Sequence, residues 1–343
     1  MREDLEGSTS WRRGWVVAAI AVLGCVAIVG SGGGGGPVSI DGCFIAPCPG
    51  DFPAEPATPT IEPPVLTVQV GATTAFTARA PGIDSPTYQW WRAPRGGAFV
   101  SIPGATGSTY TPVNAQLVDD GAAFMVEVHG GFNRTQVVLN SVHARLAVSS
   151  MPGIVFQDGE FAAADWAATA VVEPATNGPT HGEVQVASGG HPGAYRQMNL
   201  ALTTGPSKLD VFNLYQPAVY DPATQGAVYL IEFSQDCIQL PGVLGGGPTL
   251  LIEQDGRRFI AGSFASCTAL AWSTAPYPIT FDTNAFLQIS GPACDTGASC
   301  PDFSGSGKPI HVGYSSSNNM LAGIAGVSGG FGIDNWKVTV WRR

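Results

Sequence analysis

Leu250-Leu251-Ile252-Glu253-Gln254-Asp255-Gly256-Arg257-Arg258-Phe259-Ile260-Ala261 is the stretch on which the fold turns. Two runs rich in apolar residues flank Asp-Gly, the pair that supplies both positive-φ positions of a type I′ turn. The predicted register sets Glu253 opposite Arg258 and Ile252 opposite Phe259, an ion pair beside an apolar pair. The same signature continues on both sides. Val228–Ser234 alternates with Tyr229, Ile231 and Phe233 on one side. Gly332 to Trp341 alternates strictly, which predicts that Asp334, Trp336, Val338 and Val340 share one face. Nearer the start, Leu66–Val70, Ala75–Ala78 and Phe124–Val128 alternate, with turns at Pro81-Gly82, Arg95-Gly96-Gly97 and Asp119-Asp120-Gly121.

Composition agrees with an all-β chain. Of 343 residues, 45 are Gly and 27 Pro, and only 12% are charged. Amphipathic helices need charged outer faces and tolerate Gly and Pro poorly. The hydrophobic share of 44% is too high for a disordered chain. Net charge is −10, which excludes nucleic acid as a partner because phosphate binding needs a basic surface.

The N-terminus reads as an export signal over residues 1–31. Arg12-Arg13 precede an apolar run from Trp15 to Val29. As a helix that run is about 22 Å long at ~1.5 Å per residue, short for a bilayer core of ~30 Å. Val22-Leu23-Gly24-Cys25 resembles a lipobox with Cys25 as the lipidated residue, while cleavage near Gly30-Ser31 and retention as an N-terminal anchor are the other routes. Any membrane attachment would run through that lipid or anchor. Residues 32–58 form a Gly- and Pro-rich spacer. The expected location is secreted, periplasmic or at the outer membrane or cell surface.

Setting aside Cys25, six of the seven cysteines remain, an even number suited to an oxidising compartment. Local loops predict the pairs Cys43–Cys48, Cys237–Cys267 and Cys294–Cys300. No C-x-x-C pair occurs, and the five histidines are scattered, which disfavours zinc.

Over 59–149, Gly71–Phe76, Tyr88-Gln89-Trp90, Ile102–Thr106 and Asp119–Phe124 succeed one another in an order that resembles bacterial immunoglobulin-like domains. The resemblance implies a β-sandwich with Trp90 as the buried tryptophan of its third strand. Phe76 and Val126 (or Met125) fall near the places where antibody domains carry the inter-sheet disulfide, so packing alone must hold these sheets together. Over 151–343, Phe156-Gln157-Asp158-Gly159 with Asp165-Trp166 at one end and Gly332–Trp336 at the other resemble jelly-roll carbohydrate-binding and concanavalin-like modules. That resemblance implies a larger β-sandwich. It also implies a structural calcium held by Asp158 and Asp334 with backbone oxygens. Gln157 departs from the acidic residue often found at its place. The alternative for Asp334 is that it accepts backbone N–H bonds at a strand start, and both readings stand at this point.

No catalytic arrangement emerges. Glu253 with Asp255, and Glu232 with Asp236, are the nearest carboxylate pairs, and neither has the pattern of a jelly-roll glucanase. No Gly-x-Ser-x-Gly elbow occurs in a strand-to-helix context. The expected function is therefore non-catalytic binding, with a polysaccharide or cell-surface glycan as partner. Tyr195, Arg196, Tyr215, Tyr220, Trp272, Trp341 and His191 are the candidate contacts. The rivals are a structural or adhesive protein that contacts envelope or surface proteins, and a glycan hydrolase.

Overall fold

The computed structural model describes residues 55–343 apart from 113, 175–177, 205–206, 243–246, 262–266, 276–277, 290–299 and 321–324. The expected export segment, the spacer up to residue 54, Cys25, Cys43–Cys48 and Cys294 lie outside the described residues. Residues 55–343 form one compact unit, and its fold is all-β. No described helix is long and apolar enough to cross a membrane.

Two pairs of sheets succeed each other in chain order. The first pair joins a three-stranded sheet (Thr60–Glu62, Phe76–Arg79, Thr109–Tyr110) to a six-stranded one centred on Asp84–Ala93 and Ala123–Phe132. Between them lie Phe76, Trp90, Phe124, Val126 and Leu146, all buried. Trp90 donates its indole N–H to the Gly107 carbonyl at 2.9 Å, so the ring is buried with its one polar group satisfied.

The second pair starts at Ile154 and is larger. Its six-stranded sheet runs Trp166–Glu173, Ser207–Tyr220, Ile310–Met320, Thr249–Gln254, Arg257–Ala261, Phe286–Gln288. The hairpin forms as its sequence requires. Asp255 and Gly256 take φ of 53° and 70°, Glu253 pairs with Arg258 and Ile252 with Phe259, and Arg258 reaches Glu253 at 2.9 Å. The facing eight-stranded sheet runs Thr180–Gly190, Gly193–Thr204, Ala325–Arg342, Val228–Leu240, with short strands along its far edge. One core fills the space between the two sheets, drawing Val211, Ile252 and Phe259 from one and Met198, Phe233, Phe331 and Trp336 from the other.

Strict alternation fails at one place in the last strand. Asn335 takes φ 48°, and the pairing with Val228–Leu240 slips between Ser234 and Asp236. This is a β-bulge, which inserts one extra residue and inverts the facing of the residues beyond it. Ile333 and Trp336 both enter the core, so Asp334 does not share the face of Trp336, Val338 and Val340. It pairs with Asp236 on the outward face.

The two sheet pairs meet through Asp120. One carboxylate oxygen accepts the Val148 N–H at 3.0 Å and the Tyr229 hydroxyl. The other receives the Arg343 guanidinium, which also lies over the Tyr229 ring at 3.8 Å.

Candidate functional site

The bulge at Asn335 assembles a cluster on the outer face of the eight-stranded sheet. Asp334 is fully buried there. Its oxygens accept the backbone N–H of His191 and that of Asn335 at 2.6 Å. The hairpin at Gly190–Gly193 therefore folds down onto Asp334. Only glycine fits at 190, since a Cβ would stand 2.6 Å from both Asp334 Oδ2 and the Ala194 carbonyl. The Asn335 side chain donates to the His191 carbonyl at 2.5 Å and to Asp236 Oδ2 at 2.7 Å. His191 Nδ1 lies 3.0 Å from the same Asp236 oxygen.

Burial pushes the Asp236 carboxyl up, but hydrogen bonds from Thr274, Asn335 and His191, helped by the His191 charge, outweigh it and hold Asp236 below the usual range. Burial pushes Asp334 up, and the neighbouring Asp236 charge adds to that, against the two backbone N–H bonds. Ionised Asp236 can only accept, so Nδ1 of His191 carries the proton and Nε2 faces away. The imidazole is thus oriented from below while its side chain stays 55% exposed.

Trp272 completes the cluster. Its ring is parallel to His191 within 10° at 6.4 Å and edge-on to Tyr195 at 5.4 Å, and its N–H bonds the Gly189 carbonyl at 2.9 Å. Tyr195 lies over Gly332, where a Cβ would stand 3.0 Å from its ring. Its hydroxyl bonds Gln197 at 3.1 Å, and Gln197 bonds Asn199 at 2.9 Å. Alternate residues of a strand share a face, so Tyr195, Gln197 and Asn199 make one outward row.

The Trp272 segment is held by the disulfide Cys237–Cys267, as the local-loop reading predicts. Cys300 is also disulfide-bonded. From Cys267 to Thr274 no residue is buried, and Leu270 is 69% exposed. Two short pairings along Val228–Leu240 and the bond from Leu270 N to Gln239 O are its main-chain attachments. Replacing both Cys237 and Cys267 by serine should therefore loosen this segment, at a cost of about 3–4 kcal/mol for a loop of this length. Acrylamide quenching of Trp272, isolated by difference against Trp272→Phe, should rise. Unchanged quenching would show that the hydrogen bonds suffice.

Of the expected contacts, His191, Tyr195 and Trp272 come together. Two others are corrections. Tyr220 is fully buried and gives its hydroxyl to the Gly226 carbonyl at 2.6 Å. Arg196 is 4% exposed and faces the core, forked onto Asn213 Oδ1 at 2.9 and 3.2 Å and stacked on Trp166. It neighbours Tyr195 in the chain but points through the opposite face of the sheet. Tyr215 packs against Trp166 and Trp336. Trp341 donates to Glu232 at 2.8 Å, away from the cluster.

The calcium pair does not fit either. Asp158 Oδ1 accepts the N–H groups of Glu160 and Phe161, and Oδ2 accepts the Trp166 indole N–H at 2.7 Å. Calcium requires six to eight oxygen donors, whereas both Asp158 and Asp334 are surrounded by N–H groups. Asp334 instead matches the alternative reading, accepting backbone N–H bonds. Among the described residues no group of three or more His, Cys, Asp and Glu is placed to hold a metal.

Asp236, Asn335 and Thr274 are the members that sequence reasoning misses. Asp236 draws notice only as a neighbour of Glu232, and Asn335 carries no signal beyond its tolerance of positive φ. No protein-family model matches the chain, and comparison with curated proteins finds no match.

Proposed function

We propose that this is an exported, non-catalytic glycan-binding protein. An immunoglobulin-like module (59–149) carries a jelly-roll module (151–343) whose outer sheet face holds the site. The observation behind this reading is the convergence of three partly exposed rings, His191, Tyr195 and Trp272, beside a row of amides. Aromatic faces cover the apolar faces of a sugar ring, and amides match its hydroxyls. The disulfide Cys237–Cys267 favours an oxidising location. Asp334 and Asp236 are engaged in fixing His191, which supports binding over hydrolysis.

A glycan-array screen of the mature protein tests the reading. Binding to at least one glycan is expected. Trp272→Ala and Tyr195→Ala should each weaken it by about tenfold, the equivalent of ~1.4 kcal/mol. A blank array would remove the reading.

A further inference from the structure

The row Tyr195, Gln197, Asn199 leads away from Trp272 into a groove of about 580 Å³. Gly329 and Gly330 line it, along with Thr180 and Gly182 of the outermost strand and Leu240-Pro241. Gly330 pairs with Asn199, and a Cβ there would stand 2.3 Å from the Met198 carbonyl. The floor is therefore bare backbone beside the amide row. From Tyr195 to Ala201, the last outward residue of this strand at the groove, the spacing is about 20 Å at ~3.3 Å per residue. Among the described lining residues none is Asp, Glu, Lys or Arg. The single titratable one, His181, is turned to Glu183 at 2.9 Å, and Glu183 pairs with Met198, whose side chain is in the core.

We propose that the ligand is an extended, neutral oligosaccharide lying along the Gly193–Thr204 strand, one end against Trp272 and Tyr195 and the rest in this groove. The proposal rests on the glycan reading and adds its length and charge. A ligand spanning about 20 Å must be a chain of several sugars. A groove without fixed charges offers a uronate or sulfate group no counter-ion to offset its desolvation. Amides and main-chain carbonyls suit hydroxyl groups.

The test is calorimetric titration of the full chain with oligomers of one to six residues. Glucose, xylose and mannose series are each β-1,4-linked, and a galacturonate series serves as the charged control. Affinity should rise by about tenfold or more from monomer to hexamer in at least one neutral series, with uronates weaker at every length. Gly182→Trp is the diagnostic variant. A Cβ at Gly182 meets nothing within 4 Å, and the position has no positive φ, so the indole enters the groove without backbone strain. It should abolish the gain with length while short oligomers still bind. Asn199→Ala, which adds no bulk, should reduce the same gain. If glycans bind with equal affinity at all lengths, or uronates bind best, or Gly182→Trp and Asn199→Ala both leave hexamer binding intact, the groove proposal falls and the aromatic site stands. If no series binds, the groove proposal falls, and the glycan array alone decides the aromatic site.

Discussion

Trp336→Ala should be the most damaging single substitution in the second sheet pair, at about 3–5 kcal/mol. The side chain is fully buried. Its ring meets Trp166 edge-on at 5.2 Å and Tyr215 at 5.4 Å, and Trp166 in turn packs on Phe161 and Tyr314. Among the described residues the Trp336 indole N–H has no hydrogen-bond partner, so its contribution is packing and burial. Truncation leaves a cavity that rings fixed in four different strands and loops cannot close. Thermal unfolding should move down by roughly 10 °C, at about 2–4 °C per kcal/mol for a body of this size. Trp336→Phe should recover most of the loss. A shift of only a degree or two for the alanine variant would mean that the cluster repacks.

Asp334→Ala is the second. It strips the acceptor from two backbone N–H groups, those of His191 and Asn335. Each donor left without a partner in a buried setting costs about 1–3 kcal/mol. Relief from burying a carboxylate offsets part of this, because burial already pushes Asp334 toward its neutral form. A net loss of roughly 2–3 kcal/mol is expected, with the Gly190–Gly193 turn lifting away from the sheet. Thermal unfolding reads the stability, and hydrogen exchange at His191 reads the local change. Asp334→Asn should not restore it, since its NH₂ would face one of the two donors. Unaltered exchange at His191 in the alanine variant would show that Asn335 alone anchors the turn.

Both predictions concern a strand whose facing the sequence shows only in part. Period 2 correctly places Trp336, Val338 and Val340 in the core, and carrying the same period back through Asn335 puts Asp334 with them. The left-handed residue at 335 breaks that continuity. Asn adopts positive φ more readily than most residues, but many Asn residues in strands do not, so the break is invisible to counting. The Asp-Gly hairpin lacks this ambiguity because glycine next to Asp between two apolar runs has one common use. Arg196 and Tyr220 mislead for a related reason. Beside Tyr195, Arg196 looks like a polar partner until the pleat sends it to the other side. Tyr220 lies beyond a register shift between Leu214 and Val219. Trp272 and His191 are far apart in the chain, and their meeting depends on a disulfide and a turn closing over the same strand. Each is a reasonable contact alone, but their pairing is a property of the folded sheet.

Asp120 has a wider effect than its three or four partners suggest. One small group serves a main-chain amide of the leading sheets and both a phenol and a guanidinium of the trailing ones. A joint fastened this way concentrates the link between the two sheet pairs in a single carboxylate, so one substitution at position 120 removes contacts on both sides at once.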